Sequence, residues 1–141
     1  PDREILRELV LAARRGVKVR VLIPEYSNHI LADWVARPYF GELLGAGVEI
    51  WLYQHAMIHS KTVIADGFRS IVGTANIDRL SMMGNFEVTM QIDDPGFAER
   101  MEAIFENDLT TARPLTIEEW TARPIATRVL ERLVRAFNLV V

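Results

Sequence analysis

Apolar residues recur every three or four positions near the start of the chain, at Ile5, Leu6, Leu9, Val10 and Ala13. That spacing predicts a helix over residues 2–15, with Asp2 as its cap and Gly16 as its terminator. Residues 18–24, KVRVLIP, alternate and end in proline, as a strand does. A second helix is expected over residues 28–44, redirected near Pro38 and closed by the glycines of GAG at 45–47. A short strand is expected at 48–53. Two helix-then-strand units in succession predict an α/β layer with parallel pairing.

The texture then changes. Residues 58–65 and 68–72 flank Asp66-Gly67, a pair suited to a tight hairpin turn. Residues 86–92 alternate, with Phe86, Val88, Met90 and Ile92 on one face and Glu87, Thr89 and Gln91 on the polar one. Asp94-Pro95-Gly96 opens a helix running to about Leu109. The fold expected is α/β, a mixed β-sheet flanked by helices, with residues 1–111 as one domain. Residues 112–141 read as a C-terminal helical extension. Its first part, ARPLTIEEWTARP, holds two prolines and at most a short helix capped by Thr116, with Glu119 three residues on. In its second part Ile125, Val129, Leu133 and Phe137 lie four apart, joined by Leu130 and Val134. Arg128, Glu131, Arg132 and Arg135 take the other side of this amphipathic C-terminal helix. Such a helix packs on protein or lies on a membrane surface.

Composition narrows the function classes. The 141 residues are 50% apolar and 25% charged with a formal charge of -3, ordinary for a folded domain and poor support for duplex binding. Nucleic acid is therefore not an expected partner. No cysteine is present, which removes disulfides, thiolate chemistry and cysteine-based zinc sites. No run approaches the length of a bilayer span. The opening PDREILREL reads as the interior of a longer gene product, so a soluble fragment of a larger parent is expected.

The chemistry concentrates between His59 and Asn76, in HSKTVIADGFRSIVGTAN, with Glu87 following. His59 and Lys61 lie two apart and share a face. The turn at Asp66-Gly67 brings Thr74 and Asn76 back to their end, and Gly73 permits close backbone approach. Glu87 is placed to hold one imidazole nitrogen and leave the other for substrate. This set suits a phosphodiester: Lys61 supplies positive charge, Thr74 and Asn76 supply hydrogen bonds to its oxygens, and His59 attacks phosphorus or moves a proton. An ammonium is a poor neighbour for a metal, so neither metal nor cofactor is expected. Asp66, at the far end of the strand, reads as turn support. His29 and His55 lack such company and read as local residues, while Glu49 has no assigned role. The GAG at 45–47 lacks the spacing of a phosphate loop and precedes a strand where such a loop follows one.

These residues resemble the phospholipase D superfamily. His59, Lys61 and Asp66 fit HxKxxxxD, Gly73-Thr74-Ala75-Asn76 fits the GSxN segment with threonine in place of serine, and Glu87 stands where an acidic residue supports the histidine. Over essentially its whole length the chain is similar to the C-terminal half of bacterial cardiolipin synthases. The resemblance implies half of a two-lobed fold and transfer of a phosphatidyl group between two phosphatidylglycerol molecules through a phosphohistidine. It also implies release of glycerol, no divalent metal in the chemical step, and a parent at the bacterial cytoplasmic membrane. One active site in this superfamily takes two such motifs, and this chain has one. The implied partner is a second HxK half, in the parent chain or a homodimer mate, with His59 as either nucleophile or acid-base group. A phospholipase D, a phosphodiesterase or nuclease acting as a homodimer, and a non-catalytic assembly domain are the alternatives.

Overall fold

The computed structural model describes residues 2–26, 39–78, 81 and 83–124. Helix α1 (Arg3–Arg14) starts where Asp2 accepts hydrogen bonds from the backbone N–H groups of Glu4 and Ile5, at 3.0 and 3.2 Å. Strand β1 (Arg20–Pro24) follows, and α2 (Phe40–Gly45) leads into β2 (Glu49–Tyr53). β1 and β2 pair in parallel, as the helix-then-strand repeat predicts. Residues 27–38, the greater part of the second helix expected from the sequence, lie outside the described residues.

Strands β3 (Lys61–Ala65), β4 (Arg69–Gly73) and β5 (Thr89–Asp93) form an antiparallel sheet in that order. Its first turn is closed by the Phe68 N–H donating to the Ala65 carbonyl at 3.1 Å, with positive φ at Asp66 (55°) and Gly67 (60°). Two positive φ values in succession match the right-handed twist of the flanking strands. Helix α3 (Pro95–Leu109) is capped by Asp94, which accepts from the Phe97 N–H at 2.6 Å. Two short elements complete the described chain, strand β6 (Ala112–Leu115) and helix α4 (Ile117–Thr121), the latter capped by Thr116.

The mixed pairing is thus divided between two three-stranded sheets, the first ordered β1-β2-β6 and the second β3-β4-β5. The sequence pattern does not predict β6. It pairs antiparallel to β2 and places Leu115 in the core with Val10, Leu43, Val48, Ile50 and Leu52. Residues 112–121, which the sequence assigns to an extension, therefore pack with the first sheet. Arg113 ties them further, donating to Glu25 at 2.9 and 2.6 Å and to Glu119 at 2.9 Å. Helix α3 touches both sheets. It meets the first through Glu106, 2.7 Å from Arg20, and covers the second where Ser70 and Ala98 are fully buried. The amphipathic helix expected over 125–141 lies outside the described residues. No described helix is long and apolar enough to cross a membrane.

Candidate functional site

One end of the second sheet is closed by a glycine. In the register Lys61 lies opposite Gly73, and Gly73 opposite Thr89. A Cβ on Gly73 would stand 2.5 Å from the Val88 carbonyl oxygen, 2.7 Å from Thr89 Oγ1 and 2.8 Å from Thr89 Cα. Only glycine lets β4 and the entry to β5 approach this closely. The approach brings the segment after β4 against residues 87 and 88, where the polar contacts of the site gather.

Thr74 makes most of them. Its backbone N–H donates to the Val88 carbonyl at 2.9 Å, and its hydroxyl accepts from the Val88 N–H at 3.0 Å. The same hydroxyl donates to Glu87 Oε2 at 2.5 Å. Asn85 Nδ2 donates to Glu87 Oε1 at 3.4 Å. The Thr74 hydroxyl holds the Glu87 carboxyl below its usual pKa, helped by Ser81, Asn85 and the charge of Lys61. Glu87 is therefore a half-buried, ionised group beside a cation.

Lys61 is half-buried, and its ammonium donates to the His59 carbonyl at 2.8 Å. His59 lies just before β3, exposed, and among the described residues neither ring nitrogen has a hydrogen-bond partner. The carboxylate expected to hold that imidazole is bonded here to Thr74 and Asn85. Asn76 is exposed two residues past Thr74, and its side-chain amide is likewise unengaged by described residues. The hairpin register carries Thr74 and Asn76 to the same end of the sheet as His59 and Lys61. Asp66 sits in the turn at the other end. His55 is exposed with a φ of 63°, Glu49 lies in β2 within 3.8 Å of Lys18, and His29 is outside the described residues.

Two supports escape the sequence pattern. Ser81 is buried, its N–H held by Asp78 Oδ1 at 2.7 Å, and its side chain reaches Glu87. The loop after Asn76 is also fastened to α1, since the Asp2 N–H donates to the Ile77 carbonyl at 3.1 Å. Neither contact has a local spacing signal. Around Glu87, moreover, the apolar alternation does not point into a core: Phe86 is fully exposed, and Val88 and Met90 are 76% and 61% exposed. Ile92, in the same alternation, is only partly covered.

Comparison with known proteins gives a consistent assignment. Residues 1–109 match the family model described as cardiolipin synthase, PLD-like domain. Cardiolipin synthase A of Klebsiella pneumoniae (strain 342) is 38% identical over 138 residues, covering 98% of this chain and 28% of that protein. Cardiolipin synthase A of Pectobacterium carotovorum gives the same identity and coverage. The chain thus spans 28% of the length of the curated relatives it matches. Among solved structures, a phospholipase D family member, Nuc from Salmonella typhimurium, superposes with a TM-score of 0.70 at 24% identity, over 81% of this chain and 74% of that one. NucT from Helicobacter pylori superposes at 0.59 and 17% identity, over 80% and 75%. At these identities the two structures speak for the fold.

Proposed function

The chain belongs to the cardiolipin synthase family of phospholipase D-like domains, and from that membership we propose that it supplies one of two half-sites for phosphatidyl transfer. In this reading a histidine of the assembled site attacks the phosphorus of one phosphatidylglycerol. The phosphorus–oxygen bond to glycerol breaks, and the facing histidine protonates the departing oxygen. That second histidine then takes the proton from the glycerol hydroxyl of another phosphatidylglycerol, whose oxygen displaces the phosphohistidine nitrogen. Two phosphatidylglycerols become one cardiolipin and one glycerol. His59 is one of the two histidines, and Lys61 and Asn76 hold the non-bridging oxygens.

The observation that carries this reading is the convergence of Lys61, Gly73, Thr74 and an ionised Glu87 at one sheet end, with the His59 imidazole, unengaged among the described residues, beside it. A lone imidazole serves as nucleophile or as acid-base group, while the transfer needs both. The second half comes from the longer parent or from a second copy of the chain. The exposed Phe86, Val88 and Met90 around Glu87 support such a neighbour, because an apolar stripe beside a charged site suits coverage by protein or lipid. The membrane surface of the parent is the proposed working location.

The test is turnover of phosphatidylglycerol vesicles by the chain held strictly monomeric and by the chain paired with a second HxK half. Cardiolipin and glycerol should appear only in the paired sample. Robust transfer by the monomer overturns the half-site reading, and phosphatidic acid as the sole product overturns transfer in favour of hydrolysis.

A further inference from the structure

We propose that Thr74 is a positioning residue: its hydroxyl pins Glu87 at the mouth of the hairpin and takes no part in holding the substrate phosphate. The inference rests on the phosphodiester reading above and reassigns one of its residues.

A threonine hydroxyl has one proton to give and lone pairs to receive with. The proton goes to Glu87 Oε2 at 2.5 Å, and a lone pair takes the Val88 N–H at 3.0 Å. The backbone N–H of Thr74 is engaged as well, by the Val88 carbonyl. The non-bridging oxygens of a phosphodiester only accept hydrogen bonds, so Thr74 has no donor left for them. Giving one up would release a carboxylate beside a second anion. Lys61 and Asn76 differ in this respect. The Lys61 ammonium has three donors and directs one to the His59 carbonyl, and the Asn76 amide gives none to the described protein. Phosphate binding therefore falls to Lys61 and Asn76.

The β-branch of threonine strengthens the assignment. Branching at Cβ restricts χ1, which keeps the hydroxyl on Glu87 with less rotamer freedom to lose than serine has. Oε1 of Glu87 accepts the long contact from Asn85 at 3.4 Å, and the Ser81 side chain also reaches the carboxylate. Thr74 thus acts on the chemistry through Glu87, by fixing where that charge sits.

The experiment compares wild type with Thr74→Val and Thr74→Ser. In the 141-residue chain, carbon-detected NMR follows the titration of the Glu87 carboxyl. Thr74→Val should move it up toward the ordinary glutamate range, and Thr74→Ser should return it to the wild-type position. In the paired enzyme Thr74→Val should lower kcat about 10-fold or more and leave KM for phosphatidylglycerol within about twofold, with rescue by serine. An unmoved Glu87 titration overturns the proposal, as does a raised KM with kcat unchanged. Should Thr74→Val fail to fold, Thr74→Ala substitutes for it: the Glu87 titration must again move upward, and an unmoved titration overturns the proposal. A titration that shifts as expected in a protein that turns over no phosphodiester defeats the phosphodiester reading and leaves the Thr74–Glu87 contact standing.

Discussion

Replacing Gly73 with alanine is the sharpest structural perturbation of the site. The added carbon would meet the Val88 carbonyl oxygen at 2.5 Å and Thr89 Cα at 2.8 Å, where ordinary contact begins at 3.4 Å. Both are backbone atoms, so no side-chain rotation relieves the clash. The entry to β5 must move outward, lengthening the Thr74 N–H to Val88 contact that now measures 2.9 Å. Overpacking of this kind costs about 1–3 kcal/mol, and a weakened hydrogen bond adds roughly 0.5–1.5 kcal/mol. Reduced freedom of the unfolded chain returns about 0.4–1 kcal/mol. The expected net loss is about 0.5–4 kcal/mol. Urea unfolding measures it, with the slope of the transition unchanged. Gly45→Ala is the control, since Gly45 lies in helix α2 and a Cβ there would meet nothing within 4 Å. At that position the same substitution should stabilise by about 0.5–1 kcal/mol. A Gly73→Ala variant as stable as wild type, or both variants shifting alike, refutes the close approach as the reason for glycine.

Two further outcomes follow from single residues. Ser70 Oγ is fully buried under helix α3 and has no hydrogen-bond partner among the described residues, so Ser70→Ala should raise stability by about 1 kcal/mol in urea unfolding; a loss of stability would show that the hydroxyl is satisfied in solution. Glu87, Asp93 and Glu106 all have carboxyl pKa values lowered by hydrogen bonds, from Thr74, Arg69 and Arg20 respectively. A depressed folded pKa gives stability that is full above the unfolded value and lost as pH falls through the folded one, so the loss begins below about pH 4.5. Glu87→Gln should flatten the fall of the unfolding midpoint below that pH, and an unchanged acid slope would contradict the contact.

Much of this architecture was legible in the sequence because its signals are local. Asp2, Asp94 and Thr116 cap the helices they precede, and Asp66-Gly67 makes the turn that its residue types favour. β6 was not legible. ARPL has no alternation, and Pro114 argues against a strand until its place opposite Trp51 on a sheet edge is known. The alternation also starts β5 three residues early, since Phe86 to Val88 continue it while Thr74 holds Glu87 and Val88 through its hydroxyl and its backbone N–H. The site shows the same division. HxK, Gly73, Asn76 and Glu87 follow from spacing, whereas the direction of the Thr74 hydroxyl depends on a contact across 13 residues that only the folded chain makes.

In the proposed paired phosphodiester site, His59 takes part in the chemical step. The most direct measurement is cardiolipin formation from phosphatidylglycerol by the two-half enzyme carrying His59→Ala, alongside wild type and with fold checked by circular dichroism. Turnover should fall at least about 100-fold, within the span that a positioned proton transfer contributes. A near-normal rate would remove His59 from the mechanism.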